Sequence, residues 1–209
     1  MEKIIIIGCG GHAKSVLDII EREQKYEVVG FSSKDLDEEF EYRGYKIIST
    51  DENLKRVLEK GVKNAVIGIG FMGESNVREN LYRKVQKMGF HFPVIVDPTA
   101  VIASDVEISD GTVIGKKVVV NSEAHVGENV ILNTASVIEH ECKIGNGSHI
   151  AVGSLLCGDV EVGNNSFIGA GTTIIQGCKV GNNVLVGAGS LVLGDIKANT
   201  KCVGIIKRG

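Results

Sequence analysis

The chain has no tryptophan, only two prolines among its 209 residues, and aromatic residues make up just 5% of it. A core built on large rings is excluded, and with so little proline the turns must be made by other residues. No apolar run approaches the roughly 18 residues that a membrane-spanning helix needs. The segment MEKIIIIGCG is broken by glycine too early to act as a secretory signal, so a cytoplasmic protein is expected. The five cysteines are an odd number and include no CxxC pair, which argues against both a disulfide framework and a cysteine zinc site. Neither sign of charge dominates: 23 basic against 26 acidic residues give a net charge of −3, which indicates neither a nucleic acid nor a membrane surface as partner. Glycine, by contrast, is abundant, with 27 residues. A chain rich in glycine and poor in aromatics favours many tight turns around small side chains.

From about residue 100 the sequence keeps a period of six without a slip. Sixteen positions in steps of six, from Ile102 through Ile138, Ile150 and Ile168 to Val192, are all aliphatic. A second series four residues later, including Thr112, Ser136, Cys142, Ser154, Cys178 and Ser190, is small or β-branched. An amphipathic helix repeats at about 3.6 and a lone strand at 2, so a strict six fits neither. A hexapeptide parallel β-helix fits it, with each aliphatic residue pointing inward and stacking on its counterpart one rung later. Burying each such side chain contributes about 1.5–3 kcal/mol. Turns are expected at 145–147, 163–165 and 181–183, where glycine and asparagine recur every eighteen residues. Cys142, Cys178 and Cys202 share the inward small position and are read as packing residues.

The first hundred residues read differently. KIIIIG is a buried strand, HAKSVLDIIERE a helix and YEVVGF a second strand. TDENLKRVLEKG is a helix capped by Thr50, NAVIGIG a third strand, and PVIV a last strand of the same sheet. In ESNVRENLYRKVQKMG the spacing places Val77, Leu81, Val85 and Met88 on one buried helical face. Alternating strands and helices predict a small Rossmann-like α/β domain over 1–97, followed by an all-β parallel coil over 98–209.

The segment GCGGHAKS follows the first strand, where an anion-binding loop belongs. Gly8, Gly10 and Ala13 fit the dinucleotide fingerprint, yet the second strand ends in Phe31, Ser32 and Ser33 with no acidic residue for a ribose. Lys14 follows Ala13 rather than a second glycine, so the nucleoside-triphosphate loop does not fit either. A plain tight turn remains open as an alternative. In the coil, His140 lies two residues after inward Ile138 and so projects outward beside Glu141, with Gly158 one rung above. Columns Gly153, Gly171, Gly189 and Val152, Ala170, Ala188 strip one edge of bulk over three rungs, wide enough for an extended chain. The same columns would also make compact corners or a contact between copies.

GxGGHAKSVLD, a short α/β domain and a hexapeptide coil carrying HEC together resemble the NeuD and PglD sugar acetyltransferases of the hexapeptide-repeat acyltransferases, over nearly the full length. The resemblance implies a left-handed coil, a homotrimer with active sites between subunits, and acetyl-CoA as cosubstrate with no metal required. It implies an N-terminal domain that binds the nucleotide or sugar end of the acceptor at Gly8, Gly10, Gly11 and His12. It further implies His140 as general base with Glu141 as its partner, and Asn133 supplied by the neighbouring subunit. His149 would lie near the thioester, with Gly158, Ala170 and Ala188 contacting the coenzyme. Family members that bind uridine nucleotides often carry an acidic pair where this chain has Ser32 and Ser33, and the family's C-terminal G-x-P-A is here Gly204, Ile205 and Ile206, without the proline and alanine.

The function so expected is N-acetylation of the 4-amino group of a nucleotide-linked amino-deoxy sugar by direct attack. The alternative is O-acetylation of a sialic acid. A third reading, a non-catalytic coil, leaves the HEC motif, the stripped edge and the glycine loop without a common reason. Zinc-dependent carbonic anhydrases also use such a coil, but they resemble an H-x-x-x-x-H pair plus a third histidine, whereas His140 and His149 have eight residues between them. For His149 a buried, hydrogen-bonded imidazole fits as well.

Overall fold

Ile4, Ile5, Ile6 and Ile7 have no exposure to solvent, the signature of a strand covered on both faces. They lie on an interior strand of a five-stranded sheet in a computed structural model that describes residues 1–37, 39–73 and 76–207. The elements in order are β1 (Glu2–Ile7), α1 (Gly11–Glu23), β2 (Tyr26–Ser33), β3 (Glu41–Tyr42), β4 (Tyr45–Thr50), α2 (Leu54–Glu59), β5 (Asn64–Ile67) and α3 (Val77–Lys87). The sheet order is β3-β4-β2-β1-β5, parallel throughout except for the β3–β4 hairpin. Gly8 takes φ +101° as the chain leaves β1, and a Cβ there would sit 2.8 Å from Ile69, so only glycine allows the turn.

Three local expectations are corrected. Thr50 does not cap α2: it ends β4, a strand not foreseen, and its hydroxyl accepts from the side chain of Asn53, the actual N-cap residue. The buried face of α3 is turned by one position, with Arg78, Tyr82 and Val85 inside and Val77 57% exposed. Tyr82 stacks against Phe92 at 4.5 Å, an aromatic pair that outweighs the aliphatic spacing in choosing the face. Glu74 and Ser75, where that helix was expected to start, lie outside the described residues. The PVIV segment does not add a strand to this sheet: Ile95–Val96 instead opens one of the sheets of the coil.

The coil consists of three parallel sheets of seven, five and seven short strands. Its register is eighteen residues through most of the coil, as in Val120↔Ile138↔Leu156↔Ile174. The last rung is shorter: Val186 pairs with Cys202 and Val192 with Ile206, so that Cys202 stands on the aliphatic series rather than at the small position expected for it. The six-residue series is the core: Ile114, Leu132, Ile138, Ile150, Leu156, Ile168, Ile174, Val186 and Val192 are fully buried. Three inward hydroxyls are satisfied by the next rung, Ser148 donating to the Gly163 carbonyl, Ser154 to Gly169 and Ser166 to Gly181, each at 2.8–2.9 Å. Cys142 and Cys178 are fully buried beside them. At one corner Asn146, Asn164 and Asn182 form a ladder, each side-chain oxygen accepting from a backbone N–H one rung below.

The chain divides into two units, one of Met1–Gly70 with Asn76–Ile95, the other of Val96 onward with the short segment beginning at Phe71. Among the described residues no helix is long and apolar enough to cross a membrane.

Candidate active site

His140 stands at the corner that follows the strand Val137–Ile138. Its Nδ1 lies 2.9 Å from Glu141 Oε2, and about half of each side chain is exposed. A carboxylate can only accept, so Nδ1 carries the hydrogen and Nε2 is left as the proton-accepting atom of the neutral ring. A Cβ on Gly158 would fall 2.5 Å from that Nε2, so the imidazole occupies the space that the missing side chain leaves. The backbone N–H of Asp159 donates to the His140 carbonyl at 2.9 Å, which fixes the two rungs against each other.

Asn133, His149, Ala170 and Ala188 belong to a different corner. Backbone bonds Gly153→Thr134, Gly171→Val152 and Gly189→Ala170, all at 2.8–2.9 Å, stack the rungs there. Gly153, Gly171 and Gly189 have φ of +66°, +66° and +68° and no atom within 4 Å of where a Cβ would be. Glycine suits this left-handed backbone, which Ala135 also adopts one rung earlier at φ +58°, and the result is an exposed edge with almost no side chains. His149 is 8% exposed; its Nδ1 lies 2.6 Å from the Phe71 carbonyl and its Nε2 3.1 Å from Asn133 Nδ2. The structure thus brings Asn133 to His149 and Gly158 to His140. Within one chain it leaves the two pairs on separate corners.

Between these corners runs the sheet that contains Val119, Val137, Leu155, Thr173 and Leu191. Their side chains alternate with the buried inward series and make a half-exposed, mostly aliphatic outer column, flanked by Val101 at 64% and Ile205 at 65% exposure. The next face around the coil carries Glu107, His125, Lys143, Glu161 and Lys179, joined by ion pairs such as Lys179–Glu161 at 3.1 Å. It borders a hollow of about 700 Å³, which holds none of the residues expected to act. A ladder of exposed, mutually compensated charges is a solvated face.

In the first unit, Gly8 and Cys9 border a cavity of about 510 Å³ with Ser33, Lys34, Asp51, Ile69, Asn80, Leu81 and Lys84. Gly10 is the N-cap of α1 and Gly11 its first residue, and neither has any atom within 4 Å of a Cβ position, so the main chain there is open to close approach. His12 lies on the same first turn. Asp51 was not anticipated. It follows β4, its N–H donates to the Ser33 carbonyl at 2.9 Å, and its Oδ1 accepts from Ser32 Oγ at 2.8 Å. A carboxylate therefore does stand at the end of β2, supplied by the neighbouring strand. The only sequence signal was the apolar alternation in YKIIST before it.

Among the described residues no group of histidine, cysteine and carboxylate side chains could hold a metal ion. Burial pushes the Cys142 thiol up to about 11, and its Sγ donates to the Cys157 carbonyl at 3.2 Å.

Residues 3–85 match the PglD N-terminal domain, and residues 159–194 match the bacterial transferase hexapeptide repeat. No curated protein matches the chain in sequence. Among solved structures, perosamine N-acetyltransferase from Caulobacter crescentus, determined as a histidine-to-asparagine mutant with CoA and GDP-perosamine, is 29% identical with a TM-score of 0.91, over 98% of this chain and 94% of that one. The acetyltransferase domain of PglB from Neisseria gonorrhoeae, in complex with acetyl coenzyme A, is 29% identical with a TM-score of 0.88, over 97% and 96%. WeeI from Acinetobacter baumannii shares the fold at 24% identity and a TM-score of 0.81, over 98% and 97%. The chain thus joins a domain that matches the PglD N-terminal domain to a left-handed hexapeptide β-helix, and over nearly its full length it is similar to sugar acetyltransferases of this arrangement.

Proposed function

We propose that this protein is an acetyl-CoA-dependent sugar acetyltransferase that works in the cytoplasm as a homotrimer and N-acetylates the 4-amino group of a nucleotide-linked amino-deoxy sugar. The observation that carries the reading is the aliphatic outer column between the two corners. Packing that face around a three-fold axis buries it, and a ring of copies sets the His140 corner of one subunit against the Asn133 corner of the next. Each site then contains a base, an amide and a groove bordered by Gly158, Ala170 and Ala188 for the pantetheine arm of acetyl-CoA.

In this scheme the neutral amine attacks the thioester carbonyl directly, and His140 Nε2 takes the proton that the new amide nitrogen sheds. Glu141 holds Nδ1–H and stabilises the imidazolium while it exists. The C–S bond breaks, and the proton passes from His140 to the coenzyme thiolate. No acyl-enzyme forms; Cys142 is buried with a raised pKa and has no role.

The acceptor's nucleotide is assigned to the cavity beside Gly8, Gly10, Gly11 and His12. Asp51 supplies the acidic group that Ser32 and Ser33 lack. Guanine offers a carboxylate two adjacent N–H donors, whereas uracil offers one between two carbonyls, and the Caulobacter neighbour carries GDP-perosamine. A GDP-linked 4-amino sugar is therefore the first acceptor to test.

The test is mass-spectrometric detection of product from acetyl-CoA with, in separate reactions, a GDP-linked 4-amino sugar, its UDP counterpart and a sialic acid. Acetylation of a nucleotide amino sugar is the expected result. Acetylation of the sialic acid alone would replace N-transfer by O-transfer. Wild-type turnover by His140→Ala would remove the base assignment.

A further inference from the structure

We propose that His149 is a positioning residue: held in one tautomer by the Phe71 carbonyl, it orients the amide of Asn133 as a hydrogen-bond donor toward the reacting groups. This rests on the acetyl-transfer reading above and adds a role for a segment outside the hexapeptide repeat.

Three bonds leave a single assignment. A carbonyl oxygen only accepts, so His149 Nδ1, 2.6 Å from Phe71 O, must carry a hydrogen. A backbone N–H only donates, so the Asn133 atom that receives the Thr134 N–H at 2.8 Å is its oxygen. Asn133 Nδ2 therefore faces His149 Nε2 at 3.1 Å and donates to it. The ring is neutral, with Nδ1–H and a bare Nε2. Turning either group over would set donor against donor or acceptor against acceptor. The ring also has little room to turn, since it is 8% exposed and meets the Phe167 ring edge-on at 5.2 Å.

The residue that sets the tautomer is 78 positions away in sequence. The segment beginning at Phe71 lies along the same strand column, where a Cβ on Gly73 would come within 3.1 Å of both Phe167 and Leu185. Asn133 is partly exposed at the edge stripped of side chains. One of its amide hydrogens is committed to His149, and the other is available to a ligand. Asn133 so held presents its remaining amide hydrogen as a donor to a carbonyl oxygen or a developing oxyanion, while its oxygen is turned toward the Thr134 N–H. The partner of that donor is the acyl oxygen of the thioester, where negative charge develops.

Two readouts on the full-length protein test this. In ring-¹⁵N-histidine NMR of the wild type, His149 is expected with Nδ1 protonated and Nε2 bare; the opposite tautomer would overturn the proposal. In kinetics, His149→Gln keeps an acceptor near the Nε2 position, whereas His149→Asn keeps only a donor near Nδ1. The glutamine variant is expected to retain most of kcat, and the asparagine variant to lose about tenfold, the worth of one net hydrogen bond. In an Asn133→Ala background, His149→Asn is expected to cause no further loss. Losses that multiply, or a glutamine variant as slow as the asparagine one, would show that His149 does not act through Asn133. If the wild type acetylates no sugar, the acetyl-transfer reading fails, while the tautomer and the Asn133 side-chain amide resonances still decide the relay. Those resonances are expected to move in His149→Asn and to stay in His149→Gln; movement in both would refute it.

Discussion

Gly158→Ala separates the place of the His140 ring from the stability of the coil. Gly158 is outside the left-handed region, so alanine brings no backbone strain, but its Cβ would lie 2.5 Å from Nε2, where ordinary contacts fall at 3.4–4 Å. The ring must withdraw by about 1 Å, a misplacement that costs about a hundredfold in rate when it affects a catalytic group. Folding has far less at stake. The His140 side chain is about 50% exposed and can swing outward. An off-rotamer position costs about 0.5–1.5 kcal/mol, and losing the exposed bond to Glu141 costs about 0.2–1 kcal/mol. We therefore expect kcat to fall about a hundredfold, with little change in the KM for acetyl-CoA, and the thermal midpoint to drop by a few degrees at most. Initial rates read by mass spectrometry, with a circular-dichroism melt of the same sample, check both. A Gly158→Ala protein with wild-type kcat would refute the claim that catalysis uses the ring in this place.

Asp51→Asn is expected to raise the KM for the nucleotide-linked acceptor about 10- to 100-fold, the worth of a hydrogen bond to a charged group, while the KM for acetyl-CoA stays constant in the same steady-state assay. Leu155→Asp puts a charge in the middle of the aliphatic outer column; light scattering behind size exclusion is expected to show a monomer, and activity is expected to vanish with the trimer. Maleimide labelling of the native protein, mapped by peptide mass, is expected to reach the partly exposed Cys9 and Cys157 well before the buried Cys142 and Cys178.

The coil was legible because its repeat is local. Each six-residue step fixes one inward side chain, and the step from Ile138 to Leu156 predicts their pairing without knowledge of anything else. The same register located His140 under Gly158. What the sequence hid depends on contacts between distant positions. Asp51 reaches Ser32 only because β4 pairs with β2, and no element is expected over residues 45–49 from sequence alone. Tyr82 finds Phe92 through tertiary packing and turns α3 by one residue. The tautomer of His149 depends on the Phe71 carbonyl, which no repeat or motif marks. Ile95–Val96, an apolar pair beside a proline, satisfies a strand in either unit, and only the pairing decides which.

The central claim is that two corners, each holding half of the machinery, act together only across neighbouring copies. Co-expression of His140→Ala with Asn133→Ala chains tests it most directly, because each variant alone spoils every site. Random assembly into a closed ring restores an intact base and an intact amide at about one site in four. The account predicts that the purified mixture recovers about a quarter of the wild-type rate of acetyl transfer while each variant alone stays near background. A mixture no more active than its parents, with mixed oligomers confirmed by mass, would contradict it.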